Sequence, residues 1–261
     1  MSDNEKKSKI MIFCRKKSKQ QPFYFYNKEL ETVNSYTYLG IKISYTGNFS
    51  DHLFQSRDKA IHAFFAIYRK INFKNLKPLQ ANKLFDFMIR PILTYGSEVW
   101  GCYQKHDFVK WDTSPSERVH LRFCKFFLGV GSKASNIACR AELGRLPLKI
   151  FIDSLILKYF NHLINLPEHS LAKQALNISQ SLSEQNKTSF IYNLNQMLRF
   201  YNLSDPKILE NEIKKASLSN FKSKMIKNYI NQWTLFLNSS KKLSFYKEVK
   251  TTYNEESYLN F

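Results

Sequence analysis

Tyr36-Thr37-Tyr38-Leu39-Gly40-Ile41-Lys42-Ile43-Ser44-Tyr45-Thr46-Gly47 ends one kind of periodicity and hands over to another. Up to it, residues 9–14, 22–26, 29–33 and 36–44 form short runs rich in Ile, Phe, Tyr and Val, separated by turn material that includes Asn27-Lys28. Such runs predict a small antiparallel sheet. Beyond Gly47, Leu53, Ala60, Ile61, Phe64, Ile67, Tyr68 and Ile71 recur at helical spacing, with Ser50 or Asp51 placed to cap the start. The expected fold class is therefore α+β, mostly α: a small N-terminal antiparallel β-sheet followed by a helical remainder.

Proline and serine mark where the later helices begin. Pro78 suits a first helical turn, and Pro91 ends or kinks that helix after Ile89. Ser114-Pro115-Ser116-Glu117 offers a capping serine, a proline at the first position and a glutamate at the third, ahead of Val119, Leu121, Phe123 and Leu128. Gly129 and Gly131 stop it, and Pro147 opens another helix to about Ile164. Residues 168–203 are rich in Ser, Asn and Gln and weakly periodic, which predicts either short helices or a linker. Asp205-Pro206 is a further start, and Ile208, Leu209, Ile213, Leu218, Phe221, Met225, Tyr229, Ile230 and Trp233 can line one side of one or two helices. The other side carries Lys214, Lys215, Lys222, Lys224 and Lys227, either a solvated face or a contact surface for polyanions.

Charge narrows the function classes. Lys and Arg outnumber Asp and Glu by 40 to 21, for a net charge of +19 over 261 residues. The excess is spread out, about +5 in residues 1–19, about +10 in 20–199 and about +4 in 200–261 by direct count. A distributed basic surface suits a nucleic-acid groove, and it also serves solubility. Cys14, Cys102, Cys124 and Cys139 include no Cys-x-x-Cys pair, so neither a zinc site nor a disulfide framework is implied. Cys124, among Phe123, Phe126 and Phe127, reads as a buried thiol. A charged N-terminus and no apolar run of about 18 residues predict an intracellular chain, nuclear or cytoplasmic, with neither signal peptide nor membrane span.

No catalytic set emerges. Asp3, Asp51, Asp58, Asp86, Asp107, Asp112, Asp153 and Asp205 are isolated from one another, whereas two-metal nucleotidyl transfer needs paired carboxylates. There is no phosphate-binding Gly-rich loop, no nucleophile elbow and no His-Glu-x-x-His helix. His62 and His120 fall within helical runs and read as core-edge or surface residues.

Several segments nevertheless resemble the reverse transcriptases of non-LTR (LINE-type) retrotransposons, in the same order. Asn4-Glu5-Lys6-Lys7-Ser8 resembles their Asn-x-x-Lys-Ser element and Tyr38-Leu39-Gly40 their Tyr-Leu-Gly strand, both of which follow the paired catalytic aspartates of the palm. Pro91-Ile92-Leu93-Thr94-Tyr95-Gly96-Ser97-Glu98-Val99-Trp100-Gly101 is similar to their Pro-x-x-x-Tyr-Gly-x-Glu-x-Trp-Gly segment. Ser135 to Leu148, containing Glu142-Leu143-Gly144-Arg145-Leu146-Pro147, looks like the segment downstream of their thumb. The stretch from Trp233 through Tyr246 to Leu259 is similar to the region before their terminal Cys/His motif.

That resemblance implies a palm remnant over 1–48, a thumb-like helical region over 49–130, a downstream helical region over 131–203 and a basic helical region over 204–261. It implies a fragment of an RNA-directed DNA polymerase whose catalytic aspartates would precede Met1. The chain would have no cofactor of its own, Mg²⁺ belonging to the intact enzyme. Its partner would be RNA, DNA or their hybrid, held without sequence reading by Lys7, Lys9, Tyr38, Leu39 and Gly40 and by the thumb residues Arg57, Lys59, Arg69 and Lys70. Read from the residues themselves, Glu142 and Arg145 around Gly144 are either functional or a charged pair at a glycine joint, with Pro147 restarting the next helix. Alternatives are a helical protein-interaction module and part of an active reverse transcriptase split by gene prediction. Unpaired strand edges would also allow self-association. Primer extension by the purified chain with Mg²⁺ should yield no product, and templated synthesis would overturn the reading of the isolated aspartates.

Overall fold

The computed structural model describes residues 8–13, 22–25, 27–71, 75–203 and 218–260. The chain is α+β and mostly helical, and among the described residues its strands lie within the first 44. These strands do not form the single sheet expected. β1 (Tyr24–Phe25) pairs with β2 (Lys28–Glu29), and β3 (Ser35–Tyr38) pairs with β4 (Ile41–Ser44), as two separate antiparallel hairpins. Ile10 adds one parallel bridge to Thr32.

The run 36–44 is thus a hairpin and not one strand, because Leu39 (φ 47°) and Gly40 (φ 83°) both take left-handed backbone. Two consecutive positive φ values make a type I′ turn, whose twist matches that of the flanking strands. Gly40 takes its place in the turn without steric cost, and Leu39 is held there against its preference. The hairpin docks through Ile41 and Ile43 on the main core, and Tyr95 donates its hydroxyl to the Leu39 carbonyl at 2.8 Å.

The helices follow as α1 (Ser50–Lys70), α2 (Pro78–Met88), α3 (Arg90–Thr94), α4 (Ser97–Trp100), α5 (Phe108–Trp111) and α6 (Pro115–Phe127). Then come α7 (Asn136–Glu142), α8 (Leu148–Ile164), α9 (Leu171–Glu184), α10 (Phe190–Phe200), α11 (Leu218–Ser239) and α12 (Ser244–Val249). The proline-marked starts at 78, 115 and 147–148 fall where the sequence predicts. Pro91 lies inside α3, whose short turn kinks the chain before Tyr95.

α8 is apolar around most of its circumference and buries Ile150, Ile152, Ile156, Leu157 and Phe160, so it is the central helix, packed by α4, α6, α9 and α11. One apolar cluster runs from Phe49 in front of α1 to Tyr229 in α11, crossing the boundaries expected near residues 130 and 203. Residues 168–203 are no linker. They form the α9–α10 pair, capped by Ser170 and Ser189 and inserting Leu176, Ile191, Leu194 and Met197 into that cluster. The Asp205-Pro206 start, with Ile208, Leu209, Ile213, Lys214 and Lys215, lies outside the described residues.

The C-terminal segment closes the structure over the turn after α7. Glu255 bridges Leu143, the Glu256 amide donates to the Glu142 carbonyl, and Tyr253 donates to the Arg145 carbonyl. Gly144 sits in this joint at φ +60°, and a Cβ there would come within 2.8 Å of the Glu255 nitrogen. Gly144→Ala therefore combines backbone strain with a main-chain clash, and should lower the unfolding free energy by about 1–3 kcal/mol. Denaturant melts check the loss. Faster hydrogen exchange at residues 253–258 in the variant identifies the detached segment, and unchanged exchange would contradict this placement.

Candidate nucleic-acid interface

α6 carries opposite chemistry on its two sides. Ser114 accepts the Glu117 amide at 3.2 Å, which fixes the first turn and sends Glu117 and His120 inward. Glu117 is fully buried. It accepts hydrogen bonds from Trp111 Nε1 at 2.8 Å, the Leu148 amide at 2.8 Å, His120 Nδ1 at 2.9 Å and Arg140 at 3.1 Å. Burial alone would raise its pKa, but His120, Arg140 and the Leu148 amide outweigh burial and hold the carboxyl at about 2.

His120 is buried, not a core-edge or surface residue, because α6 turns it into this network. Arg145 Nε donates to its Nε2 at 2.8 Å, so Nε2 is the lone-pair nitrogen and Nδ1 carries the proton given to Glu117. Burial lowers its pKa further, with Arg145 and Arg140 adding to the effect against the pull of Glu117. Arg140 also reaches Asp112 at 2.6 Å, Arg145 reaches Asp86 at 2.7 Å, and Arg90 reaches Asp86 at 3.1 Å. Three guanidiniums thus face three carboxylates around a neutral imidazole.

The outer side of α6 presents Arg118, Arg122 and Lys125, spaced to form one stripe. Among the described residues none of the three has a carboxylate partner, and Lys125 donates to the Ser132 carbonyl at 2.7 Å. They edge a groove of about 790 Å³ whose other walls include Val109, Asp112, Val130 and Asn136. α1 runs beside α6 in the same direction: the Arg122 guanidinium lies 4.9 Å over the Phe65 ring, and Tyr68 meets Phe126 edge-on at 4.9 Å.

The residues expected from sequence are dispersed around this surface. Lys7 lies outside the described residues. Lys9 pairs with Glu31. Tyr38, Leu39 and Gly40 form the exposed hairpin turn against Tyr95. Arg57 pairs with Asp58 at 2.7 Å and covers the Phe54 ring. Lys59 and Lys70, about three turns apart, share the side of α1 that carries His52. Arg69 is one turn beyond Phe65, the ring under Arg122.

The α6 stripe itself escaped the sequence reading, although the cap at Ser114 and the spacing of 118, 122 and 125 contain it. The signal was one of side, since spacing alone does not tell which face of α6 meets the core. Glu142 and Arg145 do not pair with each other. The reversal at Gly144 turns Arg145 into the core, and Glu142 accepts from Tyr246 at 2.6 Å and from Tyr258. Cys102, Cys124 and Cys139 are buried free thiols, and burial pushes Cys124 up to about 12. Among the described residues no group of His, Cys, Asp and Glu is arranged to hold a metal ion, and no helix is long and apolar enough to cross a membrane.

A second buried charge lies on α8. Lys149 contacts Asp153 at 2.9 Å and His106 Nδ1 at 3.1 Å, and Tyr201 donates to Asp153 at 2.7 Å. Burial, reinforced by Lys149, pushes His106 down to about 3. The native ring stays neutral where the unfolded chain, with a histidine pKa near 6.5, binds a proton. The stability this contributes is complete above about pH 6.5 and declines as pH falls toward about 3. Glu117 works in the same direction, its contribution being present above about 4.5 and lost as pH falls to about 2. Denaturant midpoints should drop across both intervals. His106→Asn, which keeps an acceptor for Lys149, should flatten the upper interval, and an unchanged slope there would reject the assignment. No protein-family model, no curated protein and no solved structure matches the chain.

Proposed function

We propose that this chain binds nucleic acid without reading its sequence, through phosphate contacts along the outer side of α6 and the adjoining end of α1. The observation that carries the reading is Arg118. Arg69, Lys70 and Lys125 stand in the last turns of their helices, where cations complement the helix dipole and need no further role. Arg118 stands in the first turns of α6, where a cation opposes the dipole, and neither it nor Arg122 has a carboxylate partner among the described residues. Helix stability does not account for them. Planar guanidiniums suit phosphate, and the net charge of +19 favours any polyanion.

The resemblance to LINE-type reverse transcriptases agrees with this reading and extends it. These 261 residues are proposed to correspond to the end of the palm, the thumb and the region beyond it of such an RNA-directed DNA polymerase. Two of the segments that carry the resemblance meet at the Tyr95 to Leu39 hydrogen bond. A protein-interaction role has its own support, since α2 turns Leu79, Phe87 and Met88 to solvent, with Phe87 76% exposed.

Fluorescence anisotropy with a labelled oligonucleotide tests the reading. Affinity should fall steeply between about 50 and 200 mM salt, and changing Arg118, Arg122 and Lys125 together to Gln should reduce the logarithmic salt slope by roughly 2 to 3. No binding at low salt would defeat the proposal. Salt-insensitive capture of a protein partner instead would favour the α2 surface.

A further inference from the structure

The groove beside α6 offers more than phosphate contacts. The groove that holds Arg118, Arg122 and Lys125 is also lined by two exposed apolar side chains, Val109 (57% exposed) ahead of α6 and Val130 (42%) after it, and by Phe126 on α6. A duplex presents phosphates and sugars to a protein surface and keeps its base faces stacked inside, so it would leave such a wall wet. Unpaired bases have apolar faces to cover it. Arg122 fits the same ligand. One face of its guanidinium rests 4.9 Å over Phe65, while the side chain remains exposed, which leaves the opposite planar face as a platform for a base.

The acid in the groove does not oppose an anion. Asp112 receives Arg140 at 2.6 Å and the Asn136 amide at 3.1 Å, so its charge is already compensated from within the fold. Cations and exposed apolar surface lining one groove are the two requirements for holding a strand by its backbone with its bases covered.

Resting on the phosphate-binding role proposed above, we infer that the groove takes one unpaired nucleic-acid strand, with its backbone along Arg118, Arg122 and Lys125 and its bases against Arg122, Val109 and Val130. The strand enters as a single-stranded ligand, and a duplex meets only the cationic edge.

Anisotropy with a single strand and with a blunt duplex of the same sequence, at one salt concentration, tests the inference on the full chain. The single strand should bind about fivefold tighter or more. Arg122→Lys keeps the charge, and with it the salt slope, and removes the planar face, so it should weaken single-strand binding about fivefold more than it weakens duplex binding. Val109→Ser with Val130→Ser should act in the same direction, and thermal melts of these exposed-site variants should match the parent. Equal affinity for strand and duplex, or equal weakening of both by Arg122→Lys, would overturn the inference while leaving sequence-independent binding intact. Poly-glutamate competing as well as an oligonucleotide of equal charge would also overturn it, by showing a simple polyanion surface. Absence of any binding at low salt would remove both readings together.

Discussion

The carboxylate of Glu117 is the constraint on which the helical part depends. Four donors converge on it, from Trp111 at the end of α5, His120 on α6, Arg140 on α7 and the Leu148 amide at the start of α8. The last contact is a cap delivered from elsewhere in the chain. Pro147 precedes α8 and provides no side-chain acceptor, so the first amide of the central helix is satisfied by a carboxylate from α6. An anion there also meets the positive end of the α8 dipole. Taking away one partner of a buried charge pair costs about 3–5 kcal/mol, because the other is left without compensation. The network therefore fixes which helices are neighbours more than it adds net stability.

Its composition follows from burial. A charge in the interior carries a desolvation cost, so Arg140 and Arg145 can be buried, and Arg90 half-buried, because Glu117, Asp112 and Asp86 compensate them. Two aromatic rings complete the site, with the Arg145 guanidinium 4.8 Å over Phe85 and 5.6 Å over Phe123. The outward side of α6 can then carry unpaired cations, since the acids on its inner side are already committed. Inner balance and outer excess are two halves of one helix.

Local signals in the sequence located most helix starts, because a capping serine or a first-turn proline acts on its immediate neighbours. Pro78, Ser114-Pro115 and Pro147 are such cases. The turn at Leu39-Gly40 was hidden by Leu39, an apolar residue that reads as strand and is held at positive φ by its surroundings. The α9–α10 pair was obscured by Ser, Asn and Gln on its outer faces, which dilute the period of the few residues it buries. For the candidate site, the spacing of Arg118, Arg122 and Lys125 is legible in the sequence alone. Which side of α6 they occupy was decided by Glu117 and His120, and those residues find their partners through contacts with distant parts of the chain such as Arg145 and Leu148.

The clasp at Gly144 bears on the order in which the protein is made. Leu143, Gly144 and Arg145 leave the ribosome more than a hundred residues ahead of Tyr253, Glu255 and Glu256, the groups that cover them. During that interval Arg145 can already reach His120 and Asp86, which were synthesised before it. Its carbonyl and that of Glu142, however, wait in water for donors that do not yet exist. The charged interior can thus assemble during translation, and the seal over it is a late, long-range event.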